Sequence, residues 1–211
     1  MEIGISVVLG YLIGTFNPAA LFAKIKKANL RDGGTGNLGA TNALLIMGKA
    51  YGLLVMVLDI LKGFLAFRLA AYLFPAVKIA GMMAGLAAII GHIFPFYLNF
   101  KGGKGLAAFG GMILGYKPAM FWFVLITGFI LIFIFNYSVA LPMFAALAFP
   151  IMVWFHSESL ELVAIAIIAS AIIVVKHWSN IGKAKNGTDN KVRQYFKKHF
   201  LHKEEQSEQI S

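Results

Sequence analysis

Apolar residues in this chain run in long blocks separated by short polar stretches. The blocks predict membrane spans at about Ile3–Ala23, Ala50–Phe74, Ile79–Leu98, Ala119–Phe135, Val139–Phe155 and Leu162–Val175. Crossing a hydrocarbon core of about 30 Å takes about 20 helical residues. A further piece, Leu106–Tyr116, is short for a crossing and reads either as a shielded fourth span or as a re-entrant segment. Period-two alternation is absent, and a backbone in lipid must satisfy its own hydrogen bonds, so every block is expected to be helical. Gly14, Asn17 and Pro18 interrupt the first block. The polar stretches are Lys24–Lys49, Asn99–Gly105, the acidic His156–Glu161, and everything from Lys176 to Ser211.

Composition sharpens this picture. Of 211 residues, 59% are hydrophobic and only 13% charged, whereas a soluble domain carries about 25% charged residues. Cysteine is absent, which excludes a disulfide framework, a thiol nucleophile and a thiolate metal site. Glu2 stands where a cleaved signal would carry Lys or Arg, so the first block is expected to remain as a span. The net charge of +10 invites a nucleic-acid reading, but no basic, aromatic-bearing soluble module is present. Topology accounts for it better. With seven spans, fifteen of the nineteen basic residues fall on one side: Lys24, Lys26, Lys27, Arg31, Lys49, Lys101, Lys104 and eight from Lys176 to Lys203. Lys78 and Lys117 lie opposite, with Arg68 able to snorkel towards them. Basic residues gather in cytoplasmic loops. The expected fold is therefore all-α and integral to the membrane, with seven transmembrane helices, a short fourth span, the N-terminus outside and the C-terminus cytoplasmic. Residues 1–189 form one domain carrying three cytoplasmic motif loops, and 190–211 a basic polar tail. Within that tail Val192–Lys203 is weakly helical, and either lies on anionic lipid or is solvated.

The candidate chemistry sits at that one face. Gly33–Asn42 is rich in glycine and precedes a helix expected to start near Ala40. Glycine lets successive N–H groups converge on an anion, a helix start adds a positive dipole end, and Thr35, Asn37, Thr41 and Asn42 supply donors. A flexible loop would have the same composition. Lys101-Gly102-Gly103-Lys104-Gly105 also reads as a phosphate cradle opening a helix, although the Walker spacing is missing. His92, near a span end, suits a helix cap better than catalysis. His177 and Asn180 share one face if they lie on a helix, and combine a proton acceptor with an amide. A polar helix end anchored by Trp178 is the plainer alternative. Asp59 and Lys62, inside span two, read as a structural pair. No cofactor is expected, and no metal site: His92, His156 and His177 fall on different loops.

Together these segments resemble the PlsY-type acyl-phosphate–glycerol-3-phosphate acyltransferases of bacteria. The first family motif matches Gly14-Thr15-Phe16-Asn17 with Gly34-Thr35-Gly36-Asn37-Leu38-Gly39-Ala40-Thr41-Asn42. The second matches Gly91 to Ala108 and the third His177 to Asp189, with Leu58-Asp59-Ile60-Leu61-Lys62-Gly63 like the family's second span. The resemblance implies a seven-helix enzyme of the bacterial cell membrane, working at the cytoplasmic side in the first step of phospholipid biosynthesis. Such an enzyme moves a fatty acyl group from acyl phosphate to the 1-hydroxyl of glycerol 3-phosphate, releasing lysophosphatidic acid and phosphate. It implies His177, Asn180 and Lys104 as catalytic residues, and Thr35, Gly36, Asn37, Asn42, Lys101, Gly102, Gly103, Gly105 and Lys183 as phosphate-binding ones. Its partners are the two substrates and membrane lipid, with no nucleic acid and no obligatory protein. This chain departs from the family at Leu45, where an arginine is usual, and at Thr35, Ala108, Lys183, Ala184 and Asp189. A catalytically weak paralogue, or a phosphate-binding transporter, is the alternative.

Overall fold

Asn17 and Pro18 cut the first apolar block in two. In the computed structural model, which describes residues 1–186, α1 (Glu2–Thr15) stops and α2 (Pro18–Lys26) starts on a proline, whose missing N–H costs nothing in a first turn. The Asn17 side chain caps α2 by accepting from the Ala20 amide at 2.8 Å. A broken helix frees backbone groups that lipid cannot satisfy. Here they are met from elsewhere. The Tyr97 hydroxyl donates to Thr15 O at 2.8 Å and accepts from Asn17 N at 3.1 Å, while Lys62 Nζ donates to Phe16 O at 2.7 Å. Tyr97→Phe, which removes both hydroxyl bonds, should cost about 1–3 kcal/mol, read as a lower melting temperature in detergent.

The remaining helices are α3 (Ala40–Met47), α4 (Lys49–Leu73), α5 (Ala80–Ile93), α6 (Leu106–Tyr116), α7 (Pro118–Phe135), α8 (Ala140–His156) and α9 (Leu160–Lys185), with a 3-10 turn at Phe96–Leu98. Over the described residues there is no strand. Four segments are long and apolar enough to cross a membrane: Glu2–Lys26, Ala80–Leu98, Pro118–Phe135 and Leu160–Ala184. Leu106–Tyr116 and Ala140–His156 are shorter apolar helices. α4 is 25 residues long and buries Asp59 and Lys62 along its length.

Element positions match the hydrophobic blocks to within a few residues, with one correction. The last span was expected to end near Val175 and the third motif to be a loop, but α9 continues unbroken to Lys185. A change to polar residues ends an apolar face; it does not end a helix when no proline intervenes. The tail 190–211 and Asp189 lie outside the described residues.

Small residues let the helices meet closely, as expected where apolar lipid gives no hydrophobic drive to association. A Cβ on Gly10 or Gly14 of α1 would run into the carbonyls of Ala84 or Ala88 on α5, and one on Gly63 or Gly111 would do the same between α4 and α6. Phe109 and Phe149 meet edge to face, 5.5 Å apart, in a core shared with Ile89, Ile93, Val153 and Ile173. On the outside, α7 presents Trp122, Phe123, Ile126, Ile130 and Phe133, a surface suited to lipid.

Candidate active site

Residues 102–105 lie flat along the last turn of α5. Gly102 N donates to Ile93 O at 2.9 Å and Gly103 N to His92 O at 3.1 Å. The expected cradle of glycine amides around a phosphate is thus corrected for these two, whose donors are already taken by the chain. Their lack of a side chain serves close approach instead: a Cβ on Gly102 would strike the His92 carbonyl, and one on Gly103 the His92 ring. Gly105, at φ 86°, turns the chain into α6.

From this ledge Lys104 reaches across to α9, where its Nζ donates to Asn180 Oδ1. His177 lies one turn earlier on the same face and is buried. Its Nδ1 is 2.8 Å from Ile173 O, a carbonyl that can only accept, so Nδ1 carries the ring proton and Nε2 keeps its lone pair. The second and third motifs, more than seventy residues apart in sequence, thereby place a cation, an amide and a basic ring nitrogen together.

The first motif is held from beneath. Asn42 is fully buried; its Oδ1 accepts from Thr35 N at 2.7 Å and its Nδ2 donates to Leu30 O at 2.6 Å. Asn42 had been expected to contact phosphate. Its oxygen and one N–H are used inside the loop, which it shapes. Gly34 and Gly36 have φ of 60° and 69°, and the Gly36 amide is bonded to Gly33 O at 3.0 Å. Thr35 is exposed and Asn37 half-buried on the outer turn. Lys101 and Lys183 are exposed at the rim, and Leu45 faces out from α3.

Arg31, which the sequence marks only as a loop cation, and Asn17 of the first motif bind the loops into one unit. Arg31 Nη2 donates to Lys101 O at 3.1 Å and to Leu98 O at 3.4 Å, and Asn17 Nδ2 donates to Leu38 O at 3.4 Å. Hollows of about 380 and 310 Å³ border this brace, sharing Arg31 and Leu98; the lining of neither includes Lys104, His177 or Asn180. His92 is a further correction. It is no helix cap: its Nδ1 stands 2.7 Å from Lys62 Nζ and 3.2 Å from Asp59 Oδ1. Among the described residues, no group of three His, Cys, Asp or Glu could hold a metal ion.

Residues 4–187 match the model of the glycerol-3-phosphate acyltransferase family. The chain is 37% identical over 191 residues to the glycerol-3-phosphate acyltransferase of Coxiella burnetii (strain RSA 493 / Nine Mile phase I), covering 90% of this chain and 97% of that one. It is 34% identical over 194 residues to that of Bacillus velezensis, covering 92% and 99%. In three dimensions it is similar to the crystal structure of PlsY (YgiH), an integral membrane glycerol 3-phosphate acyltransferase, in its glycerol 3-phosphate form. The TM-score is 0.85 at 29% identity, over 90% of this chain and 96% of the other. The lysophosphatidic acid form gives 0.83 at 28%.

Proposed function

The chain belongs to the glycerol-3-phosphate acyltransferase family, and from that premise we infer that it transfers a fatty acyl group from acyl phosphate to the 1-hydroxyl of glycerol 3-phosphate. The products are lysophosphatidic acid and phosphate. The hydroxyl oxygen attacks the acyl carbonyl carbon, the bond from that carbon to the phosphate oxygen breaks, and phosphate leaves with the electron pair. The hydroxyl proton ends on the departing phosphate, directly or by way of His177 Nε2. The donor is a mixed anhydride and already activated, so no covalent enzyme intermediate is required.

The meeting of Lys104 with Asn180, beside the open nitrogen of His177, is the observation that carries this reading. Lys104 neutralises phosphate charge, Asn180 and His177 address the attacking hydroxyl, and the exposed Thr35, Lys101 and Lys183, with the half-buried Asn37, ring the entrance. The bundle crosses the plasma membrane seven times, N-terminus outside, with the site on the cytoplasmic side; the charge asymmetry of the loops supports this. Purified protein in lipid, given palmitoyl phosphate and glycerol 3-phosphate, should release phosphate and form lysophosphatidic acid. No turnover between about pH 6 and 9, the range over which imidazole and phosphate titrate, overturns the reading. The break between α1 and α2 favours a second reading, transport, because transporters use broken helices. Uptake of glycerol 3-phosphate into proteoliposomes without turnover would support that one instead.

Leu45 replaces a guanidinium that elsewhere in the family would grip phosphate as a fork. Its side chain is 37% exposed, so Leu45→Arg costs no core packing. The Michaelis constant for at least one substrate should fall. An unchanged constant for both would mean the remaining lysines already meet the phosphate charge.

A further inference from the structure

Asp59 and Lys62 lie one turn apart inside α4, both buried, and the reaction outlined above uses neither. Lys62 Nζ has three close acceptors: Phe16 O at 2.7 Å, Asp59 Oδ1 at 2.8 Å and His92 Nδ1 at 2.7 Å. An ammonium group has three donors, and each finds one acceptor. Nδ1 of His92 faces this ion pair, and Nε2 is the edge that Gly103 rests against. The Gly103 amide is tied to the carbonyl of the same histidine. Leu38 O, from the first motif, borders the same space beside Gly103, and Leu38 is held by Asn17 at the helix break whose Phe16 carbonyl Lys62 occupies. One buried cation therefore contacts the supports of both motif loops. Burying an ion pair is seldom a net gain in stability, so its presence calls for some other use.

We propose that Asp59, Lys62 and His92 are positioning residues for acyl transfer: they hold the His92 ring as the seat of Gly103, and so fix where Lys104 meets Asn180 and where the first loop stands beside it. This rests on the acyltransfer reading. Asp59 and Phe16 O orient the ammonium, the ammonium orients the ring, and the ring sets the height of the ledge from which Lys104 extends. None of the three touches substrate.

His92→Asn separates the two edges of the ring. The asparagine oxygen stands where Nδ1 was and still accepts from Lys62, while the edge beneath Gly103 disappears. The variant should melt close to wild type, yet kcat/KM should fall by about 10- to 100-fold, the scale of a reacting group displaced by about 1 Å. A second measurement reads the contact itself. Asn180→Ala should cost much less in the His92→Asn background than in wild type, because Lys104 and Asn180 are already out of register there. A folded His92→Asn protein with wild-type kcat/KM, or losses that simply add, overturns the proposal. Should that variant not fold, the paired change Asp59→Asn with Lys62→Met removes both charges at once and leaves the ring unheld. The same loss and the same coupling to Asn180→Ala are expected from it, and wild-type kinetics overturn the proposal there too. If wild type itself shows no turnover, acyl transfer fails as a reading, and positioning is read by calorimetric binding of glycerol 3-phosphate. A Kd raised by about 10-fold or more in His92→Asn supports it, and an unchanged Kd overturns it.

Discussion

His177→Ala should lower turnover by about 100- to 10,000-fold, the range typical of a lost acid–base or hydroxyl-orienting group. The side chain is buried against α9's own backbone, with Nδ1 fixed on Ile173 O, so the ring has one functional edge left, Nε2. His177→Asn provides the sharper test. Its side-chain NH₂ can replace the donor to Ile173 O, while nothing stands at the position of Nε2. If Nε2 accepts from the attacking hydroxyl, His177→Asn should be as slow as His177→Ala while retaining the wild-type melting temperature. An asparagine variant near wild-type rate would assign the histidine to holding α9 together.

Lys104→Ala should lower turnover at least about 100-fold, as expected for a charged transition-state contact worth about 3 kcal/mol. The loss should fall on kcat as well as KM, because charge on the departing phosphate grows as the bond breaks. Removing Lys104 also takes from the half-buried Asn180 Oδ1 its closer donor, leaving only the Ser179 hydroxyl at 3.4 Å, so two of the site's groups change together. Lys26 supplies the control. It lies in the basic stretch Lys24–Lys49, its Nζ 5.0 Å above the Tyr51 ring and outside every motif. Lys26→Ala should stay near wild type. Equal small losses at Lys26, Lys104 and His177 would show that these basic stretches serve membrane orientation alone.

Much of this architecture was legible from the chain alone, because membrane helices announce themselves by composition. The short helix Leu106–Tyr116 and the start of α3 at Ala40 fall where the apolar and glycine patterns put them. The pairing of His177 with Asn180 on one face followed from helical spacing. What stayed hidden was long-range. Asp59 with Lys62 was visible as a pair one turn apart, but nothing in spacing could say that His92, thirty residues on, would complete it. Arg31 read as one more loop cation, since its acceptors are main-chain carbonyls of Leu98 and Lys101, and carbonyls leave no signature in sequence. The glycines of the second motif misled for a related reason. Glycine marks places where backbones come close, and composition does not say whether the neighbour is a ligand or the protein's own α5.

For the proposed acyl transfer at His177, the continuity of α9 would set the depth of the chemistry. From Leu160 to His177 is seventeen residues of unbroken helix, about 26 Å of rise, against a hydrocarbon core of about 30 Å. With Leu160 at the far boundary, His177 lies a few ångströms below the near one, under the headgroups. An acyl phosphate can then present its carbonyl without lifting its chain out of the bilayer, and the water-soluble partner must descend to it. A thicker bilayer would lengthen that descent and a thinner one would flood the ring. Turnover in vesicles of graded chain length should therefore pass through an optimum.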